Sequence, residues 1–124
     1  MPTLLIIEDD NNLRRLYTQE FTEEGYRTLG AANSQEALAL LGKHTPDIII
    51  LDLVMPGMDG IETLERFVEQ APHIPVVINT AYPVYQNNYL TWSADAYVVK
   101  SSDLTELKNT LKTVLTAHHD SYRQ

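Results

Sequence analysis

The stretch Asp47 to Gly60, DIIILDLVMPGMDG, constrains the fold of this chain more than any other. Ile48 to Leu51 is an unbroken apolar run, too short for a helix and rich in β-branched side chains. A strand buried on both faces of a parallel sheet reads this way. The run ends on Asp52, so a carboxylate stands at the carboxyl edge of a buried strand, where open α/β sheets carry their chemistry. Met55-Pro56-Gly57-Met58-Asp59-Gly60 follows, and its proline and two glycines turn the chain sharply.

The rest of the chain repeats that alternation. Thr3 to Ile7 (TLLII) is a second apolar run, ending on Glu8, Asp9 and Asp10. Asn11 or Asn12 can cap the helix marked by Leu13, Leu16, Tyr17, Glu20 and Phe21, and Gly25 stops it. Tyr26 to Ala31 is a weaker strand. Asn33 with Glu36 reads as a capping box before Ala37, Leu38 and Leu41, with Gly42 at the end of that helix. Ile61, Leu64 and Val68 mark a third helix, closed before Pro72. Pro75 to Thr80 (PVVINT) is a fourth strand, with proline tolerated at its first position. Pro83 suits the first turn of a helix carrying Tyr85, Tyr89 and Trp92. Ala96 to Lys100 (AYVVK) is the fifth strand. Asp103 and Glu106 form another capping box, before Leu104, Leu107, Leu111, Val114 and Leu115 at helical spacing. Five such alternations predict an α/β fold with helices on both faces of a parallel sheet. The expected form is a flavodoxin-like, doubly wound five-stranded sheet of order 2-1-3-4-5 with five helices.

Composition narrows the function. At 124 residues the chain is one domain, read as 1–118, with a polar, fraying tail over 119–124. The net charge of −8 argues against a nucleic-acid surface, which needs a basic patch. No cysteine is present, which excludes disulfides, thiolate metal sites and a cysteine nucleophile. No apolar run approaches membrane length and the N-terminus is no signal peptide, so the expected location is cytoplasmic.

In the 2-1-3-4-5 order the first and third strands are neighbours, and Glu8, Asp9 and Asp52 converge. Carboxylates crowded in one cleft raise one another's pKa unless a cation is present. An all-oxygen set suits a hard cation, and magnesium fits best because it takes one or two carboxylates together with phosphate oxygens. Lys100 at the tip of the fifth strand and Thr80 at the tip of the fourth add an ammonium and a hydroxyl. Together these groups make a site for phosphoryl transfer to Asp52. Each residue alone has a plainer reading: acids at strand tips start helices, and Asp59 and Gly60 shape a turn. Their placement at consecutive strand ends is what points to chemistry.

The chain resembles the receiver domain of bacterial two-component response regulators, through LLIIEDD at 4–10, DIIILDLVMPGMDG at 47–60, INTA at 78–81 and AYVVK at 96–100. The resemblance implies that Asp52 accepts a phosphoryl group from a histidine kinase or phosphotransfer protein. It makes Glu8 and Asp9 the metal-binding acid pair, with Asp9 the direct ligand, Asp10 a helix-start residue and the backbone carbonyl of Val54 a further magnesium ligand. Thr80 becomes the switch hydroxyl, Lys100 the lysine that neutralises the phosphoryl oxygens, and Tyr97 the rotating aromatic. Val54 and Tyr82 flank the path of an attacking water, and their bulk implies slow loss of the phosphoryl group. Such a domain catalyses only its own phosphorylation and dephosphorylation. It signals through the face of the fourth helix and fifth strand, to a downstream protein or to an output domain cut from this sequence, with a phosphorylation-dependent dimer as a further family option.

One departure stands out. The family usually has proline after the lysine, commonly in a cis peptide, and here the pair is Lys100-Ser101. A non-proline cis bond costs about 2.5–4 kcal/mol; a trans bond would reroute the loop into the last helix. Tyr82, Tyr85, Tyr89 and Trp92 form one stripe of a helix, which packs on the sheet or, in part, meets a partner. Three other classes compete. An aspartyl-phosphate phosphatase needs an acid two residues after the nucleophile, where this chain has Val54. A flavodoxin-like cofactor binder needs a phosphate loop where this chain has Glu8 to Asn12. A docking module that takes no phosphate would not need the complete set of acids, Thr80 and Lys100.

Overall fold

The structure, a computed structural model, describes residues 1–55, 58–81 and 94–123. Five strands, β1 (Thr3–Ile7), β2 (Arg27–Ala31), β3 (Ile48–Leu51), β6 (Val76–Thr80) and β7 (Ala96–Val99), form one parallel sheet in the order β2-β1-β3-β6-β7. This is the predicted 2-1-3-4-5 arrangement. Between its third and fourth strands lies an unpredicted antiparallel pair, β4 (Val54–Met55) and β5 (Met58–Asp59), with Val54 opposite Asp59. The described helices are α1 (Asn11–Glu23), α2 (Ser34–Leu41), α3 (Gly60–Gln70) and α4 (Thr105–Arg123). The expected helix after Pro83, with Tyr82, Tyr85, Tyr89 and Trp92, lies outside the described residues.

Period-two alternation on the central strands feeds two cores. Leu5, Ile7, Ile49, Leu51, Val76 and Ile78 pack with Ala37 of α2 and with Leu64 and Phe67 of α3. Leu4, Ile6, Ile48, Ile50 and Val77 face the other way and meet Tyr17 and Phe21 of α1 and Leu107 and Leu111 of α4. Burial on both faces explains why Ile48–Leu51 reads as a continuous apolar run.

The helix ends correct the sequence reading in detail. Asp10, rather than Asn11 or Asn12, caps α1: its Oδ1 accepts the N–H groups of Asn12 at 2.9 Å and Leu13 at 3.1 Å. The far end of α1 closes on Gly25, whose φ of 98° is one that side-chain-bearing residues rarely adopt. Gly25 N–H donates to the Thr22 carbonyl and Tyr26 N–H to that of Phe21, a paired closure that sets the Tyr26 and Phe21 rings edge to face. Asn33 caps α2 as expected, but the return bond from Glu36 reaches the N–H of Ala32 rather than that of Asn33. Asp103 accepts both the N–H and the hydroxyl of Thr105, and α4 then continues to Arg123, so the polar segment expected to fray is helical backbone.

Gly60 opens α3 where the chain crosses back over the residue that follows Asp52. A Cβ at Gly60 would collide with the backbone carbonyl of Leu53. Glycine is therefore required by close approach of two backbones. Gly60→Ala is expected to lose about 1–3 kcal/mol, the usual range for overpacking. Urea denaturation checks this, and an unchanged midpoint would refute the contact.

Candidate functional site

Each side chain of the site stands at, or one or two residues beyond, the carboxyl end of a strand. Ile7 and Leu51 are register partners, so Glu8 and Asp52 leave the sheet side by side. The Asp52 N–H donates to the Ile7 carbonyl at 3.2 Å, and the Lys100 N–H donates to the Thr80 carbonyl at 2.8 Å. These bonds extend the ladders past the strands and fix the spacing of the tips. Glu8 and Asp52 are only 2% and 5% exposed. Lys100 Nζ reaches both, 2.5 Å from Glu8 Oε1 and 2.8 Å from Asp52 Oδ2. Asp9 completes the cluster, with one oxygen from each of the three acids lying within 4.8 Å of the others. An all-carboxylate set this tight, two of its members buried, has the chemistry to hold a hard divalent cation.

Among the described residues Lys100 brings Asp52 and Glu8 together although its peptide bond to Ser101 is trans. The loop instead turns on Ser101 Oγ, which accepts the Asp103 N–H at 3.1 Å. Thr80 is fully buried, and its hydroxyl has no hydrogen-bond partner among the described residues. A buried hydroxyl left in this state is costly unless an acceptor arrives. Tyr97 pairs in register with Ile78, two residues before Thr80, so Tyr97 and Thr80 share a face of the sheet. Its ring packs half-buried against the core of that face. Val54 lies in β4, two residues beyond Asp52.

Two neighbours of the site escaped the sequence reading. Asn79 is buried on the opposite face from Thr80, where its amide donates to the Tyr17 hydroxyl at 3.0 Å. A polar residue inside the run PVVINT was the available signal. Arg14 of α1 donates to the Glu8 carbonyl at 2.6 Å. Gly30, a glycine inside a strand, hinted at it, because such glycines mark close approach.

The response regulator receiver domain family matches residues 4–112. The chain is also 36% identical over 116 residues to sporulation initiation phosphotransferase F of Bacillus subtilis, covering 90% of this chain and 92% of that one. This chain belongs to the response regulator receiver domain family. Its fold matches the response regulator TrrA of Thermotoga maritima in complex with Mg²⁺-BeF, at 36% identity and a TM-score of 0.87, over 91% of this chain and 98% of that one. TrrA has also been solved in complex with the histidine kinase ThkA. A CheY-like receiver from Methanospirillum hungatei matches over 98% of both chains at 26% identity and a TM-score of 0.91. Other relatives are longer: this chain spans 23% of the Escherichia coli regulatory protein AtoC and 45% of the Streptomyces coelicolor transcriptional regulatory protein AfsQ1.

In this receiver domain the charges of the site are mutually dependent. Burial pushes the Glu8 carboxyl above the usual carboxylate range, against the pull of Lys100. Burial alone would lower the Lys100 ammonium, but its hydrogen bonds to Asp52 and Glu8 outweigh that and hold it above the ordinary lysine value. Lys100→Met would leave two buried carboxylates facing each other. Removing one partner of a buried pair costs about 3–5 kcal/mol, and Lys100 is one-fifth exposed, which favours the low end. A carboxyl whose folded pKa is raised contributes stability below its unfolded value and loses it as pH rises through the folded value. The deficit of Lys100→Met is therefore greatest at pH 7 and shrinks as pH falls toward 5. Metal-free urea unfolding at both pH values measures it, and an equal deficit at the two would rule out carboxylate repulsion as its cause.

Proposed function

We propose that this receiver accepts a phosphoryl group on Asp52 from a histidine kinase or phosphotransfer protein, with Mg²⁺ bound at the acid cluster. The observation that supports this most is the position of Asp52, its carboxylate within one cluster with Glu8 and Asp9 and bonded to Lys100. An Asp52 oxygen attacks the phosphorus of a phosphohistidine. The P–N bond breaks, its electron pair stays on the imidazole nitrogen, and an acyl phosphate forms. Glu8, Asp9, Asp52 and the backbone carbonyl of Val54 would hold the metal, with Asp9 the direct ligand of the acid pair. A bound Mg²⁺ supplies positive charge that offsets the negative charge of the transferring group. Lys100 adds a second positive charge on the side of Asp52 that it already contacts.

Thr80 then supplies the readout. Its buried hydroxyl donates to a phosphoryl oxygen, and Tyr97 on the same face follows into the space that Thr80 leaves. Phosphorylation biases this two-state equilibrium by the contacts it makes in one state and not the other. The domain works in the cytoplasm, catalyses its own phosphorylation and dephosphorylation, and passes its state to a downstream protein or a joined output domain. Among the described residues no helix is long and apolar enough to cross a membrane.

Incubation with Mg²⁺ and acetyl phosphate, followed by intact mass, is expected to show the addition of one phosphoryl group. The adduct should need Mg²⁺ and be absent from Asp52→Ala. Thr80→Ala should still take the group but fail to signal. Labelling that persists in Asp52→Ala would sink the assignment of the acceptor.

A further inference from the structure

Arg14 touches none of the acids' carboxylates, yet its guanidinium is fastened beside them. Nη1 donates to the backbone carbonyl of Glu8 at 2.6 Å, and Nη2 donates to Asn11 Oδ1 at 2.5 Å. The Glu8 carbonyl and the Asp9 nitrogen belong to one planar peptide unit, so holding that oxygen sets the plane from which Asp9 departs. The remaining bonds of the turn hold its other sides. The Glu8 N–H donates to Ala31 of β2, the Asp10 N–H donates to Glu8 Oε2, and the Asp10 carboxylate caps α1. Without Arg14 the peptide between Glu8 and Asp9 keeps no bond on its carbonyl side from the described residues.

The sheet is shaped to admit this side chain. A Cβ on Gly30 would come within 3.3 Å of Arg14 Cδ and 3.6 Å of Cγ, so the stem of Arg14 lies across the one residue of β2 that has no side chain. Gly30 pairs with Ile6 of β1, two residues before Glu8. A glycine inside a strand weakens it, and here the cost leaves room for the arginine.

We propose that Arg14 is a positioning residue for the metal site, acting through the Glu8–Asp9 peptide, with Gly30 as the floor that lets it reach. The proposal rests on metal binding by Glu8, Asp9 and Asp52. It makes a prediction opposite in sign to plain electrostatics. Removing a positive charge near a cation site should tighten binding if Arg14 acts only through its charge. Removing a clamp should weaken it, since groups that orient metal ligands are worth about 10–100-fold in affinity.

The test is a Mg²⁺ titration of the full chain followed by the amide NMR shifts of Glu8, Asp9 and Asp52. It uses wild type, Arg14→Met, Arg14→Lys and Gly30→Val, with metal-free thermal unfolding of each. Arg14→Met keeps the stem and loses charge and fork, and its affinity should fall about tenfold. Arg14→Lys keeps the charge but loses the planar fork, so it too should weaken, and it carries the test if the methionine variant does not fold. Gly30→Val should weaken binding by displacing the intact arginine. Saturating Mg²⁺ should restore labelling of Asp52 in all three, which a general loss of structure would not permit. Unchanged or tighter affinity in Arg14→Met, or wild-type affinity in Arg14→Lys, overturns the proposal. If wild type itself binds no Mg²⁺, the metal site falls and the role of Arg14 falls with it.

Discussion

Two carboxylates are buried at the edge of this sheet within reach of one ammonium. Glu8 and Asp52 come from adjacent strands, Lys100 from the far edge strand β7, and Nζ touches both acids. Burial pushes the Glu8 carboxyl above the usual carboxylate range, and the hydrogen bond from Lys100 pulls it back down. The end of the sheet is therefore held by charge, while its middle is held by apolar burial on both faces. A cation entering the acid cluster would meet carboxylates whose repulsion Lys100 already partly offsets.

Helix α1 is more than a cover for one core. Asp10 caps it, Arg14 reaches back to Glu8 and Tyr17 meets Asn79, so successive turns contact the tips of two different strands. Asn79 stands next to Thr80, whose carbonyl also takes the Lys100 N–H. Alternation along β6 turns Asn79 toward α1 and Thr80 toward the face that carries Tyr97. One strand thus presents a pinned polar group on one side and, on the other, a hydroxyl with no partner among the described residues.

Much of this was legible before any coordinates. The run Ile48–Leu51 and the strand Thr3–Ile7 match their observed bounds, and the observed strand order is the flavodoxin-like order expected of five alternating units. Capping was less legible, because Asp10, Asn11 and Asn12 are all competent caps, and which of them stops being helical depends on how the chain leaves β1. Phe67 stands outside the set Ile61, Leu64 and Val68 that marks the helix, yet it is as fully buried as Leu64. The antiparallel pair of Val54–Met55 with Met58–Asp59 leaves no signal in the sequence, since two-residue strands have no period to detect. With Ser101 in place of proline the peptide is trans and Lys100 still reaches its acids, since the Lys100 backbone is tied to Thr80 before the loop begins.

The sequence by itself determined which residues end up at the strand tips. Apolar runs fix where strands lie, helices between them force parallel pairing, and whatever polar residue ends each run is delivered to one edge. Tertiary structure decided what those residues do to one another. That Lys100 bridges Asp52 and Glu8, that Asn79 meets Tyr17, and that Arg14 crosses Gly30 to hold the Glu8 carbonyl are contacts no single stretch of sequence contains. Their distances are set by the lateral spacing and twist of the sheet and by how the helices seat on it, and no local pattern of residues encodes those quantities.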